Sequence, residues 1–185
     1  MPGDGARRTE MGGGNGAEPS YGFLPKGAAA GIVVAIVLLD QWTKSLVQEH
    51  VRLYESVPVI EGFLDLTHVR NTGVAFGFLN SLDIPYKAGL TTAIALAALV
   101  AIGVFATQLS PREKLARLGL TLVVGGAIGN LIDRATAGYV VDFVDFYWGG
   151  WHFWAFNVAD AAITVGASCL IFELLFLNRH VSEAA

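Results

Sequence analysis

The chain is short of charge and of cysteine, and each shortage removes a class of function. Charged residues make up 15% of the 185 positions, against about 25% in an average soluble domain. Lysine and arginine number 12 and aspartate and glutamate 16, for a net charge of -4. That balance excludes a general nucleic-acid binder, which needs a basic face to neutralise phosphates. Cys169 is the one cysteine, so neither an intrachain disulfide nor a cysteine-based zinc site can form. The four histidines, His50, His68, His152 and His180, are scattered without HExxH or paired-ligand spacing. No metal and no other cofactor is expected.

What the chain has is apolar sequence, 54% hydrophobic with 22 glycines besides. A bilayer core about 30 Å thick takes roughly 20 mostly apolar residues to cross as a helix. Four stretches meet that length, at about 27–46, 88–109, 111–132 and 155–177. They predict an all-α membrane protein with four transmembrane helices, because a helix satisfies its own amides inside lipid. Ser110, Pro111 and Glu113 predict the third helix start, as cap, first helical residue and capping-box partner. Between the first two helices, Val57-Pro58-Val59-Ile60 and Leu64 to Val69 look extended, and Asn71-Thr72-Gly73 signals a turn into Val74-Ala75-Phe76-Gly77. The expectation there is a small extracytoplasmic β-sheet in the first outer loop, followed by a short interfacial segment. Residues 1–26, rich in glycine and proline, cannot bury a core and read as a disordered cytoplasmic tail. The membrane domain then spans 27–178, with a second cytoplasmic tail at 179–185. Ala28-Ala29-Ala30-Gly31 precedes the first apolar run instead of following it, which argues against a cleaved signal peptide.

Basic residues set the sidedness. With the amino terminus inside, the inner segments hold Arg7, Arg8, Lys26, Arg112, Lys114, Arg117 and Arg179, whereas the longer outer loops hold only Arg52, Arg70, Lys87 and Arg134. The positive-inside rule then puts both termini in the cytoplasm. Trp148, Trp151, Phe153 and Trp154 precede the fourth helix and read as an interfacial belt, with His152 a surface residue among them.

This topology gathers the polar residues toward the outer face. Asp40 and Lys44 are i,i+4 on the first helix; Asn130, Asp133 and Arg134 share a stripe on the third. Asn157 and Asp160 open the fourth helix, and Asp142 lies in the loop before it. Asp40–Lys44 and Asp133–Arg134 read as ion pairs that staple helices together. Asp142 and Asp160 have no basic residue within four positions. Two such carboxylates in a partly dry site cannot easily both ionise, which gives one general base and one general acid. Asp145 is the rival to Asp142, and Glu173 reads as a snorkelling surface charge. Gly125 and Gly129, with Gly126 beside them, form a small-residue face that lets another backbone approach Asn130. Asn71 is either a turn residue or an amide offered to a substrate backbone. An ion-coupled transporter or a non-enzymatic scaffold would use similar charges, although no internal repeat of the transporter kind is present.

Five blocks stand in order: Asp40-Gln41-Trp42-Thr43-Lys44, Arg70-Asn71-Thr72-Gly73-Val74-Ala75-Phe76, Gly125-Gly126-Ala127-Ile128-Gly129-Asn130-Leu131-Ile132-Asp133-Arg134, Val140-Val141-Asp142-Phe143 and Phe156-Asn157-Val158-Ala159-Asp160. Together they resemble the motif blocks of lipoprotein signal peptidase, or signal peptidase II, over about residues 26–178. The resemblance implies an aspartyl endopeptidase of the bacterial plasma membrane. Its substrate would be a prolipoprotein, cut just before a diacylglyceryl-modified cysteine, and its setting membrane lipid. It implies Asp142 and Asp160 as the catalytic pair, with Asn71, Asn130, Arg134 and Asn157 lining the site. It also implies that Asp40, Lys44 and Asp133 support the site. The amino-terminal tail lies outside the pattern.

Overall fold

The computed structural model of the chain describes residues 26–73, 86–110 and 112–177, and four of its helices are long and apolar enough to cross a membrane. These are α1 (Lys26–His50), α2 (Lys87–Ala106), α3 (Lys114–Thr136) and α4 (Val158–Phe172), the last continuing as a π-helical turn over Glu173–Leu177. A four-stranded antiparallel sheet runs in the order β1 (Ser56–Ile60), β2 (Leu64–Asn71), β3 (Val140–Trp148) and β4 (Trp151–His152). Residues 1–25 and 178–185, the segment 74–85 and Pro111 fall outside the described residues; Lys26, placed by the sequence in the tail, begins α1.

The sheet differs from expectation in one respect that matters. β1 and β2 form in the first loop where the sequence looks extended, but half the sheet comes from the segment between α3 and α4. Asp142 is therefore on a strand and not in a loop, opposite Val69 of β2. The register shifts between Leu66 and Val69, leaving a bulge at Thr67 and His68.

Tertiary packing moves the helix ends. α1 runs one turn past Leu46 because Val47 and Val51 bury against Phe143 of β3. α3 continues past Ile132 and closes where Gly138, at φ +78, leaves the helix; the Ala137 and Gly138 amides return to the Asp133 and Arg134 carbonyls. At its start, Glu113 does reach back to the Ser110 amide at 2.6 Å, but as part of a turn that precedes the helix, which begins at Lys114. Two of its exposed amides, Leu115 and Ala116, are taken by the Glu173 carboxylate of α4 at 3.0 and 3.3 Å. Glu173 is thus buried as a cap supplied by a neighbouring helix, contrary to the snorkelling expectation. The π-helical turn begins at this residue.

α3 is the centre of the bundle, in contact with each of the other three helices. α4 lies antiparallel to it at a distance only glycine allows. A Cβ on Gly126 would stand 2.3 Å from the Ala159 carbonyl oxygen, and one on Gly119 2.5 Å from that of Gly166. The predicted small-residue face is real and divided: Gly126 receives α4, whereas Gly125 and Gly129 receive Ile36 and Asp40 of α1. The outward faces of α1, α2 and α4 are apolar and exposed, as lipid-facing surface requires.

Gly126→Ala should lower the unfolding midpoint in detergent by the equivalent of about 1–3 kcal/mol, because overpacking forces α3 and α4 apart. Gly89→Ala, whose Cβ meets nothing within 4 Å, is the matched control and should not fall.

Candidate active site

Where α1 and α3 end and α4 begins, the polar side chains close into one buried network. Asn157, fully buried, is its centre. It is the N-cap of α4: its Oδ1 accepts from the Asp160 amide at 2.8 Å, and its own amide donates to Asp160 Oδ2 at 3.4 Å. The Asn-x-x-Asp spacing produces this reciprocal cap. The side-chain nitrogen points the other way, donating to Asp142 Oδ1 at 2.7 Å and to the Val141 carbonyl at 3.2 Å.

Asp142 and Asp160 are thus brought together from β3 and α4, each held by amide donors. Asn71, at the end of β2, donates to Asp142 Oδ2 at 3.0 Å. The same side chain accepts from the Gly73 amide at 2.9 Å, so it is turn residue and site donor at once. Asn130 of α3 donates to Asp160 Oδ1 at 2.7 Å. Among the described residues, neither carboxylate makes an ion pair.

The supporting charges are arranged differently. Lys44 bonds Asp40 at 2.7 Å and Asp133 at 2.8 Å, all three buried. Asp133 therefore pairs across helices with Lys44 and not with its neighbour Arg134, as local spacing had suggested. Asp40 does more than staple: its Oδ1 accepts from the Ala159 amide at 2.9 Å, a second cap for α4. Arg134 reaches the Gly73 and Asn130 carbonyls, and its buried Nε has no partner among the described residues. Sequence reasoning gave no role to Gln41, which donates to Asp133 Oδ1 at 2.8 Å. One position from Asp40, it lies off the i,i+4 stripe that marks Lys44. Asp145 is on β3 but points to the opposite sheet face, where it meets His152 at 2.8 Å. Behind Lys44 and Asp133 is a polar cavity of about 120 Å³, bordered by Gln41, Gln48, Thr136 and Tyr139. No group of three or more His, Cys, Asp or Glu side chains among the described residues could hold a metal ion.

Comparison with known proteins gives a consistent result. The family model for signal peptidase (SPase) II matches residues 32–176. The chain is 42% identical over 153 residues to a lipoprotein signal peptidase of Geobacter metallireducens, covering 82% of this chain and 93% of the relative. It is 48% identical over 143 residues to that of Maridesulfovibrio salexigens, covering 77% and 92%. Two solved bacterial membrane enzymes superpose on it. One has a TM-score of 0.73 at 30% identity, covering 83% of this chain and 96% of its own. The other has 0.71 at 32%, covering 82% and 90%.

Asp142 has an altered acidity that can be tested through stability. Burial above all, and then the charge of Asp160, push its carboxyl from the ordinary 3.8 up to about 7, against the opposing pull of Asn71, Asn157 and Lys44. A group whose pKa rises on folding binds more protons folded than unfolded, so its contribution is full below about pH 4 and is lost as pH rises through about 7. The unfolding midpoint in detergent should therefore decline across that window, and Asp142→Asn should flatten the decline. A variant with the wild-type slope would contradict the raised value.

Proposed function

As a member of the signal peptidase II family the chain is an aspartic peptidase that removes signal peptides from prolipoproteins, and we propose that Asp142 and Asp160 are the pair that hydrolyses the bond. The observation that carries this assignment is the contrast in partners. Asp40 and Asp133 are neutralised by Lys44, whereas Asp142, buried, and Asp160, half-buried, are held by amide donors and make no ion pair among the described residues. A structural staple needs a cation; a hydrolytic dyad needs a proton to move between two carboxyls.

The roles divide between them. Asp160, in the first turn of α4, stands at the positive end of a helix dipole and accepts from Asn130 and from the helix cap. It is the carboxylate that takes a proton from water. Asp142, with its raised pKa, keeps the proton and donates it toward the scissile carbonyl oxygen. The resulting hydroxide adds to the carbonyl carbon to give a tetrahedral diol. Collapse breaks the C–N bond as the proton gained by the dyad passes to the leaving amine. Arg134, whose Nε has no partner among the described residues, and the asparagine amides orient the peptide and stabilise charge developing on oxygen.

The substrate in this reading carries a diacylglyceryl-modified cysteine just after the cleaved bond. A site at the ends of the helices lets its acyl chains stay in the bilayer while the peptide reaches the dyad. The protein is membrane-embedded and multi-pass; the basic-residue bias supports the plasma membrane with both termini cytoplasmic and the sheet and dyad outside. Exposed Trp148, Trp151 and Trp154 suit the headgroup layer on that side.

Purified enzyme should cleave a diacylglyceryl-modified prolipoprotein in detergent, with or without chelator. Asp142→Asn and Asp160→Asn should each lower kcat by about a hundredfold or more while remaining folded. Asp145→Asn should keep its activity; loss there with full activity in Asp142→Asn would move the dyad by three residues. For sidedness, single cysteines at Tyr54 and Arg112 in a Cys169→Ser background can be treated with an impermeant maleimide on intact cells. Labelling at Tyr54 alone is expected, and labelling at Arg112 alone would invert the topology.

A further inference from the structure

Lys44 has one more hydrogen bond than its ion pairs explain. The residue is 3% exposed, and its ammonium meets Asp40 Oδ2 at 2.7 Å, Asp133 Oδ2 at 2.8 Å and Asn130 Oδ1 at 3.0 Å. An ammonium donates and accepts nothing; this one donates to Asp40 and to Asn130 and meets Asp133 as an ion pair. Two carboxylates already neutralise the charge. The other hydrogen bond goes to a neutral amide, and an amide has two unlike ends.

That contact settles which end of Asn130 faces the dyad. Lys44 and, at 3.3 Å, Asn157 Nδ2 both donate to Asn130 Oδ1. The end left for Asp160 is the NH₂ group, which donates to its Oδ1 at 2.7 Å. Reversed, the amide would set NH₂ against an ammonium, donor against donor, and offer Asp160 a carbonyl that only a protonated carboxyl can meet. We propose that Lys44 is a positioning residue for the hydrolysis, acting through Asn130 to hold Asp160 as the proton acceptor of the pair. The inference rests on the dyad assignment above.

The charged and polar groups around this relay are Asp40 and Gln41 on α1, Asp133 and Arg134 on α3, Asp142 on β3, and Asn157 with Asp160 on α4. Asp40 and Asp133 offset the Lys44 charge only in part, and its field still reaches both Asp142 and Asp160, so a double variant of Lys44 and Asn130 is what separates the amide route from the field.

The test is a double-mutant cycle on the full-length enzyme in detergent, with kcat and KM for the lipid-modified prolipoprotein followed over pH. Lys44→Gln should lower kcat about tenfold or more with little change in KM, and move the acid limb of kcat/KM up by about one pH unit. Asn130→Ala should move the limb likewise. The double variant should then be no worse than Asn130→Ala, because the two residues act in series. Additive losses, or a folded Lys44→Gln enzyme with the wild-type acid limb, would overturn the inference. If Lys44→Gln fails to fold, Lys44→Arg carries the test. It keeps a cation between Asp40 and Asp133 but holds its donors in a planar fork, so the limb should shift; an unshifted limb overturns the inference equally. Asp160→Asn separates the two claims. Inactive Asp160→Asn with an unmoved Lys44 limb removes only the relay, whereas active Asp160→Asn removes the dyad itself.

Discussion

The Asn157 side chain closes the first turn of α4 with its oxygen and grips β3 with its nitrogen, and the geometry of the whole site passes through that one amide. Its oxygen fixes the Asp160 amide, while its nitrogen fixes Asp142 and the Val141 carbonyl. A helix cap is usually a local affair, worth about 1 kcal/mol and confined to its own turn. Here the cap is shared between a membrane helix and a strand, so neither can shift without moving a carboxylate. Asp40 strengthens the arrangement from α1, since its second oxygen accepts from the Ala159 amide next to the cap.

Burying so much charge near lipid has to be made tolerable. A lone charge at the bilayer centre costs about 2.5–3.5 kcal/mol even on the lenient insertion scale. The Asp40–Lys44–Asp133 group meets that cost by mutual pairing, with Gln41 taking up the other Asp133 oxygen. Asp142 and Asp160 meet it with amide donors and, at Asp142, a pKa raised to about 7, so that a bound proton removes the buried charge. The glycines of α3 make both solutions possible. A side chain at Gly129 would come within 2.8 Å of Asp40 Oδ2, and one at Gly126 would push α4 away from Asn130.

Much of this was legible in the chain. Four apolar runs give four helices, and i,i+3 or i,i+4 spacing marks Asp40 with Lys44, Asn130 with Asp133, and Asn157 with Asp160. Asp142 and Asp160, neither with a basic residue within four positions, are both gathered beside Asn157. What local spacing misses is partnership across elements. Asp133 turns to Lys44 on another helix, although Arg134 is adjacent in sequence. Glu173 reads as a surface charge because nothing near it in sequence reveals that the α3 amides need a cap. Asp142 reads as a loop residue because β3 is a strand only by pairing with β2, about seventy residues earlier.

The bulge at Thr67 and His68 has a consequence of parity. Strand side chains alternate, so residues seven apart on a regular strand face opposite ways. Leu64 and Asn71 are seven apart, yet they oppose Phe146 and Val140, which are six apart on β3 and share a face with Asp142. The extra residue in β2 changes odd into even. It lets one short strand line the same side with the apolar Leu64 and Leu66 at one end and with the amide that holds Asp142 at the other. Without that single added residue, either the leucines or Asn71 would turn to the far side of the sheet, and the strand would have to choose between its footing and its hold on Asp142.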